Sequence, residues 1–163
     1  MHYHDPMHVF LSVLFRWLHM VPAAIIIGGV FTMRVILPVG LKTLEEPQRS
    51  MVLLRCRRIF KMTVHTCILL LLVSGIYNTI ANWHAYQERL PLAHAFWGPH
   101  VILALVAMGI SLYVLAGKQP PPTHQRWMAI NFAILLIVVL CADLTKWVRD
   151  RPPSQKVYQT SAR

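Results

Sequence analysis

The stretch LFRWLHMVPAAIIIGG, residues 14–29, places one histidine, His19, in a segment that otherwise has the composition of a membrane helix core. A titratable side chain is costly in hydrocarbon, so such residues are rare there and each one is a candidate for function. Around this stretch, the chain of 163 residues is 56% hydrophobic and only 13% charged. So few charges cannot cover an ordinary soluble domain. The composition therefore indicates a protein that lies in a lipid bilayer.

Four apolar runs organise the chain, and each is close to the ~20 residues that a helix needs to cross the hydrocarbon layer. They cover approximately residues 9–37, 59–80, 96–116 and 127–147. The polar or proline-containing stretches KTLEEPQRS and GKQPPPTHQR lie between runs and predict helix ends. We therefore predict an all-α fold, an integral membrane four-helix bundle, in a single domain over residues 1–163 with a short polar N-terminus and a basic C-terminal tail.

The formal net charge of +10 is distributed unevenly between the loops. The first loop and its edges hold seven basic residues: Arg34, Lys42, Arg49, Arg55, Arg57, Arg58 and Lys61. The positive-inside rule places loop 38–58 in the cytoplasm and the N-terminus outside. The basic C-terminal tail then falls on the outer side, against the rule. This charge pattern indicates the lipid bilayer, and not nucleic acid, as the partner. We also expect residues 48–61 to extend the second helix as a basic amphipathic segment that contacts anionic headgroups.

Five titratable residues lie inside the apolar runs: Arg16, His19, His65, His100 and Asp143. At a rise of ~1.5 Å per residue, His100 and Asp143 lie within about one turn of the outer ends of the third and fourth helices. These two side chains are therefore expected at the same depth, near the outer surface.

The depth of His19 depends on where the first helix enters the membrane. If Arg16 and Trp17 mark the interface, His19 lies about one turn below the outer surface and level with the third-helix histidine. If the helix enters at Val9, His19 lies near the middle of the membrane and can reach toward His65. Both placements are consistent with the sequence.

Two imidazoles on different helices of a bundle are the usual protein ligands of a bis-histidine haem b. We expect His19 to pair with His100 rather than His65. Arg16 would balance a haem propionate, and Asp143 would orient a ligating histidine or pass protons, so these two are the candidate catalytic residues. The alternative is that each histidine hydrogen-bonds a carbonyl or hydroxyl of a neighbouring helix and binds nothing.

Copper is the other metal that the composition suggests, because it accepts imidazole and thioether ligands. The N-terminal MHYHDPMH and the helices supply candidate ligands: His2, His4, Met7, His8, Met20, Met108 and Cys141. A histidine-rich terminus is often only solvated, and a methionine in an apolar helix more often fills space. A copper path along the bundle is therefore the alternative to haem.

Three segments also carry a family resemblance. They are RWLHMVPAAIIIGGVFTMRVILP (16–38), RCRRIFKMTVHTCILLLLVSGIYN (55–78) and FWGPHVILALVAMGISLY (96–113). Together they resemble the first three helices of the copper resistance protein D family, over approximately residues 13–117, while the fourth helix is generic. The same architecture is similar to the bacterial four-helix protoporphyrinogen IX oxidase family, which binds haem.

The resemblance to the oxidase family implies a functional histidine in the first helix and a lysine near the start of the third. His19 matches the histidine, but the expected lysine position reads Pro99-His100-Val101-Ile102. A histidine in place of that lysine puts the oxidase activity in doubt and favours two histidine ligands. The resemblance also implies the inner membrane of a bacterium as the location.

No Ser-His-Asp order, phosphate-binding glycine loop or paired-carboxylate site is present, so hydrolases and nucleotide enzymes are not indicated. Three classes stay open. The first is a haem b protein in electron transfer or oxidation, including a haem-dependent oxidoreductase, with quinol, a porphyrin or a redox protein as partner. The second is a copper transport or delivery protein. The third is a structural subunit of a larger membrane complex or homo-oligomer.

Overall fold

The computed structural model describes residues 6–87, 92–116 and 121–150, and these residues form helices and short connections without a strand. The elements are α1 (Pro6–Phe31), a π-helical turn (Thr32–Ile36), α2 (Leu37–Gly40), α3 (Glu46–Ala81), α4 (Trp83–Gln87), α5 (Leu92–Leu115) and α6 (Pro121–Asp150). The spans long and apolar enough to cross a membrane are Pro6–Gly40, Glu46–Ala81, Ala95–Leu115 and Thr123–Trp147. The prediction of an all-α, multi-pass membrane four-helix bundle is confirmed.

The helices extend beyond the apolar runs that indicate them. α3 begins at Glu46, after an extended Glu45, so the predicted extension of the second helix through residues 48–61 is confirmed as helical. The basic stretch is rich in Leu and Arg, which favour helix and let it continue beyond the apolar run. α6 begins at Pro121, inside the stretch expected to separate helices, because proline is tolerated in the first turn of a helix.

The bundle is built from two antiparallel hairpins. α1 packs along α3, and α5 packs along α6 more extensively still, whereas contacts between the hairpins run from α1 to α6 and from α3 to α5. α1 and α5 are therefore diagonally opposite. Side chains that extend from these two helices to the centre of the bundle can meet across its axis.

The apolar core lies toward the basic end of the bundle, and apolar side chains also cover the outside. The buried cluster contains Ile26, Val30, Val64, Cys67, Ile68, Leu71, Val114 and Met128. The outward faces are equally apolar: Leu69 is 63% exposed, Ile102 63% and Leu140 58%. A surface of this kind is suited to lipid, where association depends on close packing rather than on hydrophobic exclusion from water.

α1 and α3 approach each other closely at Gly29. A Cβ atom built on Gly29 would overlap with Cε2 of Phe60, closer than real Cβ atoms come to other heavy atoms. Its neighbour Gly28 has nothing within 4 Å of the same position. Only the second glycine of the pair is therefore required by packing.

A buried polar pair joins α5 to α6 in the same half of the bundle. The Asn131 side-chain amide donates to Ser111 Oγ at 2.8 Å, and these residues are 3% and 6% exposed. Within the described part of the chain, Asn131 Oδ1 has no hydrogen-bond partner, and a small void of about 10 Å³ adjoins the pair. A buried polar group with incomplete pairing makes this contact sensitive to substitution.

Replacing Ser111 with alanine is expected to destabilise the bundle by about 1–3 kcal/mol, because the Asn131 amide then has no partner at either end. Thermal unfolding in detergent measures the loss, and Ser12→Ala, at an exposed position, is the matched control. Adding Asn131→Leu to the Ser111→Ala variant should restore most of the stability, since two apolar groups need no partner. Equal stability of wild type and Ser111→Ala would contradict this account.

Candidate functional site

The His19 side chain extends from α1 toward α3 and contacts Ser74 there. His19 Nδ1 lies 3.0 Å from Ser74 Oγ, and Ser74 is 1% exposed. The Ser74 hydroxyl donates to the Leu70 carbonyl at 2.6 Å, so its oxygen accepts the proton of His19 Nδ1. In the neutral imidazole, Nε2 is then the nitrogen with a free lone pair.

His100 has the same arrangement on the other hairpin. Its Nδ1 lies 3.0 Å from the Val138 carbonyl of α6, and since a carbonyl oxygen only accepts, Nδ1 is the donor. When Nδ1 donates, Nε2 is again the nitrogen left available. In both half-buried histidines one ring nitrogen is therefore held by a neighbouring helix, an arrangement that is also found in histidines that bind metal ions.

The two rings meet across the bundle. The ring centres of His19 and His100 are 6.5 Å apart and the ring planes are inclined by 50°. A ring nitrogen binds a metal ion at about 2 Å, so two imidazoles on opposite sides of one ion have ring centres roughly 6 Å apart. The observed separation is close to that distance.

A glycine lies beside the His19 ring, and a stacked aromatic pair lies one turn away on the same two helices. A Cβ atom built on Gly75 would lie 3.3 Å from His19 Cε1, so a larger residue there would press on the ring. One turn outward, Phe15 stacks on Tyr77 with ring centres 3.9 Å apart, and Asn78 donates to the Phe15 carbonyl at 3.3 Å. These contacts set the depth of His19 relative to α3.

The other candidate residues lie apart from this pair. His65 is exposed, and its Nδ1 hydrogen-bonds the Lys61 carbonyl of its own helix at 2.6 Å. His65 is therefore separate from the His19–His100 pair. Arg16 and Asp143 are exposed and form no hydrogen bond or ion pair within the described residues. Arg16 lies one turn before His19 on α1, toward the end of the bundle opposite the basic end.

The candidate copper ligands are scattered. His2 and His4 lie outside the described residues. Met7, His8 and Met20 are exposed, and Met20 is 60% so. Met108 packs at the edge of the core, and Cys141 is half-buried.

Ser74, Gly75 and the Val138 carbonyl were not identified from sequence. Ser74-Gly75 is a polar and small pair in a long apolar run, which is a signal of close helix contact. A backbone carbonyl cannot be identified from the type of its residue.

The neighbouring apolar groove between α1 and α3, of about 540 Å³, is lined by residues such as Leu18, Pro22 and Cys67, with neither histidine of the pair among them.

In residues 6–87, 92–116 and 121–150, no group of three or more His, Cys, Asp or Glu side chains is placed to hold a metal ion. Comparisons of the chain with protein-family models, with curated proteins and with solved structures find no match.

Proposed function

We propose that this chain is a membrane haem b protein in which His19 and His100 would hold the iron. The observation that supports this function best is the pair of imidazoles with ring centres 6.5 Å apart, each with Nδ1 hydrogen-bonded to another helix. The proposed role is electron transfer or oxidation, with a quinol, a porphyrin-type substrate or a redox protein as the partner.

The donor chemistry fits haem iron, which takes imidazole nitrogen as an axial ligand. His19 and His100 lie on different hairpins, and contacts between the hairpins are sparser than within each hairpin, so the group would be held at this interface. When bound, haem supplies one-electron chemistry. Ser74 and the Val138 carbonyl hold the two rings in the ligating tautomer, and the surrounding apolar helices exclude water.

Two exposed charges near the outer end complete this proposal. Arg16, one turn outward from His19, supplies a cation for a propionate group. Asp143, five residues beyond Val138 on α6, supplies a carboxylate that can exchange protons with the outer solution. In this proposal the basic end of the bundle faces the cytoplasm of a bacterial inner membrane, and the N-terminus lies outside.

Copper is the second candidate, favoured by one observation. The ring centres are already about as close as those of two imidazole ligands of a single ion. Copper accepts imidazole nitrogen, so an ion held between His19 and His100 would need no space for a macrocycle.

Absorption spectra of the detergent-purified protein, oxidised and dithionite-reduced, test the proposal together with iron and copper analysis. A sharp reduced b-type spectrum with stoichiometric iron is the expected result. A colourless protein with bound copper would overturn the haem proposal in favour of the second candidate. A protein with neither metal, also after incubation with haem or Cu(I), would favour a structural subunit.

Ser74→Ala is expected to weaken haem binding about 10–100-fold, because His19 loses the hydrogen-bond acceptor that fixes its tautomer. Titration of the metal-free protein with haem, followed by absorption, measures the affinity. Thr66→Ala is the matched control, since it removes an exposed hydroxyl that bonds only within α3. An unchanged affinity in Ser74→Ala would show that the serine does not position the ring.

A further inference from the structure

α3 is longer than a membrane crossing requires. It has 36 residues, which at ~1.5 Å per residue gives roughly 54 Å, against ~30 Å of hydrocarbon. Read from the middle of α3 toward its beginning, the first charged side chain is Lys61. The turns of α3 before this residue therefore project into and past the headgroup layer.

The outward face of this projecting part combines apolar and basic side chains. Leu54 is 67% exposed, Ile59 66% and Met62 68%, and the exposed Arg55 and Arg58 lie between them. At about 100° per residue, these five side chains share the side of α3 that faces away from the packed residues. We name this set of five the basic face.

The cations here are not neutralised by the protein. Arg55, Arg57, Arg58 and Lys61 form no ion pair with any described residue, and the ion pair of this region is Arg49 to Glu46 at 3.2 Å. The acidic residues Glu45 and Glu46 lie at the start of α3, farthest from the membrane. The charge thus changes from acidic at the tip to basic next to the bilayer, which is the order that an anionic lipid surface attracts.

We propose that the basic face binds the phosphate headgroups of anionic phospholipids. Arg55 and Arg58 would pair with lipid phosphates, for which the guanidinium group is well suited. Leu54, Ile59 and Met62 contact the upper acyl chains, as the apolar face of an interfacial helix does. This inference does not depend on the function of the histidine pair.

The test uses the full chain in nanodiscs of phosphatidylcholine and phosphatidylglycerol in equal amounts. The lipids that stay with the protein after mild detergent extraction are quantified by mass spectrometry. Wild type is expected to retain phosphatidylglycerol preferentially, and Arg55→Gln/Arg58→Gln to weaken this preference roughly fivefold per arginine. Arg55→Lys/Arg58→Lys should keep most of it, and size-exclusion profiles check that each variant is folded.

The matched control is Arg49→Gln/Lys146→Gln, which removes the same charge at a paired position and on another helix. It should retain phosphatidylglycerol as wild type does. Equal retention of both lipids by wild type, or equal loss in the control, would overturn the proposal. So would arginine-dependent binding of a soluble polyglutamate peptide without lipid preference, because that result would assign the face to an acidic protein.

Discussion

Replacing His100 with alanine is expected to abolish the reduced b-type spectrum of the purified protein, and His19→Ala is expected to do the same. Each substitution removes one of the two imidazoles whose ring centres are 6.5 Å apart. The remaining imidazole alone would hold the iron more weakly than the pair. The measurement is the haem-to-protein ratio from absorption after purification.

His65→Ala is the control for this experiment, because it removes an intramembrane histidine that bonds only within α3. Its spectrum should equal that of wild type. Retention of the full spectrum in both His19→Ala and His100→Ala would refute the site. Loss of the spectrum in His65→Ala alone, with normal helicity by circular dichroism, would place the haem elsewhere in the bundle.

Gly29→Ala is expected to lower the stability of the bundle by about 1–3 kcal/mol, the usual effect of overpacking. The new methyl group would overlap with Phe60 Cε2, so the ring or the helix must move. Thermal unfolding in detergent, followed by circular dichroism, measures the change.

Gly28→Ala provides a matched control one residue away. Its methyl group meets nothing within 4 Å, and alanine favours helix over glycine by up to about 1 kcal/mol. Its stability should equal or exceed that of wild type. Adding Phe60→Leu to Gly29→Ala should recover part of the loss, whereas equal effects of both alanines would contradict the close approach of α1 and α3 at this point.

The number of membrane helices is predictable from this sequence because bilayer thickness translates directly into residues of helix. The ends of the helices are less predictable from the sequence. The start of α3 at Glu46 depends on helix-favouring side chains outside the bilayer, to which a count of apolar residues is insensitive. The same is true of α6, whose first turn contains prolines that also occur in loops.

The pairing of His19 with His100 depends on contacts that sequence patterns do not predict. His19 and His100 are identifiable as costly groups in apolar helices, but their relative depth depends on how far α1 slides along α3. Stacking of Phe15 on Tyr77 and the bond from His19 to Ser74 set that register. Both contacts join residues more than fifty positions apart in the chain, so no local pattern reveals them.

The division into two hairpins has a consequence for assembly. His19 belongs to one hairpin and His100 to the other, so a hairpin inserted alone carries only half of the site. Any ligand that bridges the two rings binds the docked pair and not the separate halves, and it therefore shifts the association equilibrium by mass action. Docking of the hairpins and binding of such a ligand would then be one coupled event, and the unliganded chain would be the form most exposed to dissociation and quality control.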